Sequence, residues 1–275
     1  MKGVSYMNQH LIAIDLDGTT LNNQSKLSRF TIETLRKLDE LGHIVMIVTG
    51  RPYRNSINIY NEMNINSPMV NFNGAYCHHP RKPHFLPAYH EELDKEIAFE
   101  LFANQDNLDI NLLIAEGKER LFTSSMNLPD SPFFPKDLAE ISQLSRANLT
   151  QNPTALTILC DVEKQKTIED RIMARYGDDV SVRTWGGVLP ILEVVRQGIN
   201  KSVAVNKVSE FYHIPNENIL AFGDENNDLE MIKYAGLGVA MKNATDEIKG
   251  IADTQTEFTN DEDGLAHFLT NYFSL

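Results

Sequence analysis

Short apolar runs that stop at an acid, a hydroxyl or a glycine, each followed by a stretch of helical period, constrain this chain more than any other feature. The runs are Leu-Ile-Ala-Ile at 11–14, Ile-Val-Met-Ile-Val at 44–48, Met-Val-Asn-Phe at 69–72 and Ile-Leu-Ala-Phe at 219–222. An uninterrupted apolar run reads as a strand covered on both faces, and strands alternating with helices read as an α/β protein. The first helix is expected over 28–41, with an apolar stripe of Phe30, Leu35, Leu38 and Leu41 and with Gly42 as its C-terminal stop. Pro52 suits the first turn of a second helix. Further helices are expected over 201–213, 227–234 and 263–272, with a strand over 237–241.

The pattern breaks in the middle. His78-His79-Pro80-Arg81-Lys82-Pro83 and Pro87 form a Pro-rich polar connection, the expected domain boundary. Residues 84–190 then mix helical segments near 91–104, 136–146 and 163–176 with strand-like pieces near 110–115, 120–123, 156–160 and 180–184. That order predicts a separate α+β unit inserted into the first domain, which resumes from 191. His78, His79, His84 and His90 have no regular metal-ligand spacing, and a solvated loop is the preferred reading for them. Trp185-Gly186-Gly187 reads as a turn or as part of the core of the inserted unit.

Composition narrows the function classes. With 38 acidic against 25 basic residues the net charge is −13, which disfavours nucleic acid and anionic membranes as partners. No apolar run approaches the roughly 20 residues that a membrane span needs. The first ten residues lack the apolar core of a signal peptide, and Cys77 and Cys160 are too few for a disulfide framework. A soluble, acidic, cytoplasmic protein is the expectation.

Chemistry-bearing residues collect at the ends of the apolar runs. Asp15-Leu16-Asp17-Gly18-Thr19-Thr20 sets two carboxylates one residue apart where a buried strand leaves its sheet, the place where open α/β sheets bind ligands. A polar turn would use the same residues. Thr49-Gly50 offers a hydroxyl and an approachable amide, or simply a helix cap. Gly223-Asp224-Glu225-Asn226-Asn227-Asp228 is an acidic loop without the alternation of an EF-hand. Lys201 opens a helix, where the dipole disfavours a cation unless it meets an anion or carboxylates. Taken together, strand-end acids suit a hard cation, and hydroxyl, amide and lysine suit a phosphate. Oxygen donors without His or Cys indicate Mg2+.

With these motifs in this order, the chain resembles the haloacid-dehalogenase-like phosphatases, in the Cof-type, sugar-phosphatase-like branch. Asp15-Leu16-Asp17-Gly18-Thr19, Thr49-Gly50-Arg51, Lys201 and Gly223-Asp224 through Asn227-Asp228 are the four motifs. Asn73-Gly74-Ala75 resembles the segment that precedes the inserted cap in that branch, and Asn260-Asp261-Glu262-Asp263-Gly264 its C-terminal stretch. The resemblance implies a Rossmann-like, doubly wound parallel-sheet core over 1–83 and 191–275, with an α+β cap domain over 84–190 that closes as a lid. It implies Asp15 as nucleophile and Asp17 as general acid and base. Asp15, the Asp17 carbonyl and Asp224 would hold Mg2+, and Asp228 would stand behind them, orienting a water of the metal or Lys201. Leu16, Thr49, Gly50, Lys201 and Asn227 would grip the phosphoryl oxygens.

The function this resemblance implies is Mg2+-dependent hydrolysis of a small phosphomonoester through an aspartyl-phosphate. Sugar phosphates, pyridoxal phosphate and flavin-related phosphates are the substrate classes. Two alternatives stay open at this point: a phosphotransferase or phosphomutase on the same scaffold, and a non-catalytic sensor of a phosphometabolite. Both Asp15 and Asp17 are present, which weighs against the sensor.

Overall fold

The computed structural model describes residues 9–118, 120–131, 133–135, 140–184 and 190–275. The chain divides into two compact units, one of Met1–Gly50, Ser56–Ala88 and Asn200–Leu275, the other of Arg51–Asn55 and Tyr89–Ile199.

In chain order the first unit begins with β1 (Leu11–Ile14), α1 (Arg29–Glu40), β2 (Ile44–Val48), α2 (Tyr53–Met63, whose residues up to Asn55 belong to the second unit), β3 (Met69–Asn71) and β4 (Tyr76–His78). The second unit holds β5 (Tyr89–His90), α3 (Lys95–Ala103), β6 (Leu112–Glu116), β7 (Leu121–Thr123), β8 (Ile141–Gln143), β9 (Ala155–Leu159), α4 (Gln165–Tyr176), β10 (Val180–Thr184) and β11 (Ile191–Arg196). The first unit resumes with α5 (Lys201–Tyr212), β12 (Ile219–Gly223), α6 (Leu229–Tyr234), β13 (Leu237–Ala240), α7 (Asp246–Ile251), β14 (Thr254–Gln255) and α8 (Gly264–Phe273).

The first unit's strands run β14-β13-β12-β1-β2-β3-β4, parallel from β14 to β3, with β4 antiparallel. Ile12 and Ile14 share a core with Val45, Ile47, Leu220 and Phe222, and with Leu35 and Leu38 of α1 and Leu265 and Leu269 of α8. The alternate residues Leu11, Ala13, Met46, Val48 and Ala221 are equally buried, so both faces of the sheet are covered. This is why these strands read as continuous apolar runs. The central strand β1 lies between β12 and β2, so the ends of all three deliver their loops to one edge of the sheet.

The second unit is a sheet in the order β10-β11-β9-β6-β7-β8, antiparallel except for the parallel pair β7 and β8. One face packs on Ile97 and Leu101 of α3 and Ile168 and Ile172 of α4.

Four expectations change. Residues 191–196 do not return to the first domain: β11 pairs with β9 and β10, so an inserted unit ending at 190 would stop before one of its central strands. Residues 141–143 form β8 where the tail of a helix over 136–146 was expected, because Ile141 pairs beside Leu121. The start of that segment, 136–139, lies outside the described residues, as do Trp185-Gly186-Gly187 and residues 1–8. Phe72 leaves β3 with φ 51° and starts a turn. His78 and His79 are buried, not solvated, and His78 bonds Asn71 and stacks on Tyr76.

Candidate active site

β1 ends at Ile14 and hands Asp15 to the sheet edge, anchored by its backbone N–H donating to the Phe222 carbonyl of β12 at 3.1 Å. Residues 16–20 form a wide turn that closes where the Leu21 N–H reaches the Leu16 carbonyl at 2.8 Å. Gly18 at its tip has φ +72°, and a Cβ there would lie 2.1 Å from Asp224 Oδ2, so only glycine lets the turn and the acidic loop after β12 approach this closely. Thr19 is buried and donates to Asp224 Oδ1 at 2.9 Å. Asn243 donates to the Gly18 carbonyl at 2.7 Å. Asp17 is exposed on the same turn, in extended backbone conformation.

Lys201 is the first residue of α5 and is fully buried. Its Nζ donates to Asp15 Oδ1 and to Asp228 Oδ1, each at 2.6 Å. The cation at an unfavourable helix start therefore meets two carboxylates. Burial alone would lower the Lys201 pKa, but the charges of Asp15 and Asp228 outweigh it and hold the ammonium above the ordinary lysine range. Asp228 uses its other oxygen to accept from the Asp224 and Glu225 backbone N–H groups, at 3.0 and 3.2 Å. Burial, with Asp228 and Asp17 adding to it, outweighs Lys201 and raises Asp15 to about 7. Burial, then the neighbouring charges of Asp15 and Asp228, push Asp224 up to about 9. Lys201 alone does not offset the carboxylates gathered here, and the charged forms of Asp15 and Asp224 are disfavoured.

The donor chemistry fits a hard cation. Asp15, Asp224 and Asp228 each offer a carboxylate oxygen within 4.8 Å of the others, and they are the group of this kind among the described residues. Lys201 engages one oxygen of Asp15, and Thr19 engages one of Asp224. Both oxygens of Asp228 are already bonded, which suits it to orient Lys201 and close its own loop. An all-oxygen, acid-rich set of this kind matches Mg2+.

Thr49 and Asn227 both bond to Asn73. Thr49 is buried at the end of β2, its N–H donating to the Val70 carbonyl at 3.0 Å and its carbonyl accepting from the Asn73 N–H at 3.1 Å. Asn227 donates to Asn73 Oδ1 at 3.0 Å. The structure thus groups Asp15, Lys201, Asp224 and Asp228 directly, links Thr49 to Asn227 through Asn73, and sets Leu16 and Asp17 on the turn after Asp15. Thr19, Asn73 and Asn243 join the site without having been expected there. Thr19 lies inside the first motif, where its place carries a signal; Asn243 lies in a loop with no local signal.

A sheet whose central strand ends in an acid bonded to a buried lysine, with further acids from the next parallel strand, defines an α/β hydrolase of the phosphoryl-transfer kind. The family model for haloacid dehalogenase-like hydrolases matches residues 12–269, and the chain belongs to that family, in its Cof-type branch. A 5-amino-6-(5-phospho-D-ribitylamino)uracil phosphatase of Bacillus subtilis is 37% identical over 97% of this chain and 98% of its own. A second Bacillus subtilis protein of that description is 28% identical over 95% of each chain. The crystal structure of a haloacid dehalogenase-like hydrolase from Bacteroides thetaiotaomicron superposes with a TM-score of 0.83 at 27% identity, covering 97% of this chain and 100% of that one. The protein is accordingly an enzyme of the phosphoric monoester hydrolase class. Among the described residues no helix is long and apolar enough to cross a membrane.

Proposed function

We propose that this enzyme hydrolyses a small phosphomonoester in two steps through an aspartyl-phosphate, with Mg2+ as its cofactor and 5-amino-6-(5-phospho-D-ribitylamino)uracil as its substrate. The observation that carries the mechanism is the buried Lys201 ammonium between Asp15 and Asp228, with Asp224 beside them. Such a cation offsets the repulsion between carboxylates and an incoming phosphate dianion and keeps Asp15 aimed. The substrate rests on the two Bacillus subtilis relatives, the first of them alike along nearly its whole length.

In the first step an Asp15 carboxylate oxygen forms a bond to phosphorus, the bond from phosphorus to the leaving oxygen breaks, and Asp17 gives that oxygen a proton. In the second, Asp17 takes a proton from a water that attacks phosphorus. The bond to Asp15 breaks, inorganic phosphate leaves and the carboxylate is restored. The exposed position of Asp17, next to the buried Asp15, suits a group that must reach a leaving group and then a water. Leu16 and Gly50 amides, the Thr49 hydroxyl, Lys201 and Asn227 hold the phosphoryl oxygens. Asp15, the Asp17 carbonyl and Asp224 would hold Mg2+, which when bound would supply the positive charge that such a transfer needs.

The test is phosphate release from this ribitylaminouracil phosphate beside sugar phosphates and pyridoxal phosphate, with Mg2+ or chelator, for the wild type and Asp15→Asn. Release that needs both Mg2+ and Asp15, greatest on the ribitylaminouracil phosphate, is expected. Asp15→Asn should fold and lose about a thousandfold or more in kcat, as removal of a nucleophile does. Preference for another ester would overturn the substrate, and turnover by Asp15→Asn the mechanism.

A further inference from the structure

We infer that Asn73 is a positioning residue that aims the Asn227 amide at the phosphoryl group; the inference rests on the proposed role of Asn227 in holding that group. The turn after β3 is unusual in its backbone. Phe72, Asn73 and Gly74 have φ of 51°, 52° and 111°, three consecutive residues in the left-handed half of the map. Residues other than glycine seldom adopt this conformation, and it persists only where the surroundings fix it. Here the surroundings are the elements of the active site. The Asn73 N–H donates to the Thr49 carbonyl, and the Ala75 N–H closes the turn on the Phe72 carbonyl at 3.0 Å. A Cβ on Gly74 would fall 2.3 Å from the carbonyl oxygen of Asn200, the residue before Lys201.

Asn73 itself is 1% exposed, and its side chain points into this junction. A Cβ on Gly50 would lie 3.1 Å from the Asn73 amide atoms, so the Asn73 side chain lies against the Thr49-Gly50 corner. Its Oδ1 accepts from Asn227 Nδ2 at 3.0 Å. An asparagine amide carries two N–H donors. Fixing one of them on Asn73 sets the plane of the Asn227 amide and commits its second N–H to a single direction, which is what binding a phosphoryl oxygen requires. The end of β2 and the loop after β12 are thus brought to the Asn73 side chain, and the start of α5 lies against the neighbouring Gly74.

A purely structural reading of Asn73 holds that asparagine is there because it tolerates φ of 52°. The two readings separate in the full-length enzyme with p-nitrophenyl phosphate as substrate, Mg2+ present, and inorganic phosphate as competitive inhibitor. The variants are Asn73→Gly, Asn73→Ala, Asn227→Ala and the double variant Asn73→Gly with Asn227→Ala. Glycine relaxes the backbone and alanine strains it, so their melting temperatures should differ, while both remove the acceptor. The expected result is that both lower kcat/KM and weaken phosphate inhibition by a similar factor, about tenfold, the worth of one hydrogen bond. The double variant should be no worse than Asn227→Ala alone. Activity that follows the melting temperature, with Asn73→Gly intact and Asn73→Ala impaired, would overturn the inference, as would a double variant that loses the product of the single factors. Wild-type phosphate affinity in Asn227→Ala would instead remove the proposed role of Asn227, and this inference with it.

Discussion

Lys201 concentrates the electrostatics of the site in one side chain. It is buried without exposure, and both of its carboxylate partners are buried as well. Removing one partner of a buried ion network leaves uncompensated charge, at a cost of about 3–5 kcal/mol. Lys201→Met should therefore lower stability by about that amount in chelator and lower kcat by about a hundredfold or more, since an interaction made with the reacting group is lost. Chemical denaturation beside steady-state kinetics checks both, and a variant as stable as the wild type would show that Asp15 and Asp228 need no cation. His43 makes a separate prediction. Burial, with the nearby His10, lowers it to about 4, and its Nδ1 accepts from the His10 N–H at 3.1 Å while Nε2 has no partner among the described residues. A depressed histidine is neutral in the folded protein and charged in the unfolded chain below 6.5, so its contribution is present above that pH and is lost as pH falls toward 4. His43→Asn should flatten the fall in melting temperature over that interval. Identical pH profiles for variant and wild type would contradict it.

At the scale of elements, α5 shows how a helix can hold a cation at its start. Asn200 caps it, its side chain accepting from the Ser202 and Val203 N–H groups, and Lys201 follows at once. Asn200→Ala should cost about 1 kcal/mol, the usual worth of such a cap. It should also lower kcat, because Lys201 would lose its fixed approach to Asp15; unchanged kcat with a lowered melting temperature would mean that the carboxylates alone position the lysine. The buried strands β1, β2 and β12 and the helices α1, α5 and α8 were legible because each carries its own local signal, an unbroken apolar run for the strands and a helical period for the helices. Elements without such a signal were not. α7 spans Asp246–Ile251, and Ile248 is its buried residue, too little to read as a helix. Residues 141–143 took strand form from their neighbour Leu121–Thr123, not from their own pattern.

For the whole molecule, the division of the chain is the point at which local pattern and packing disagree most. Residues 191–196 fall on the first domain's side of the expected boundary, yet they form β11, which pairs between β9 and β10. Excising Tyr89–Ile199 and joining Ala88 to Asn200 through a short Gly/Ser linker should leave a monomeric, folded first unit. Excising 84–190 should leave Ile191-Leu192-Glu193-Val194-Val195 unpaired and give aggregates, the fate of an exposed apolar strand. Size-exclusion chromatography and circular dichroism of the two proteins decide this, and equal behaviour would place the boundary elsewhere. The sequence by itself determined the α/β class, the strand-end acids and the order of the motifs, because burial on both faces and turn chemistry are written in consecutive residues. Only the tertiary structure decided that Lys201 meets Asp15 across 186 residues, that Asn227 meets Asn73 across 154, and to which sheet β11 belongs. A residue's own pattern encodes how much of it must be buried and in what local form. Which distant partner completes the burial is settled only when the elements pack.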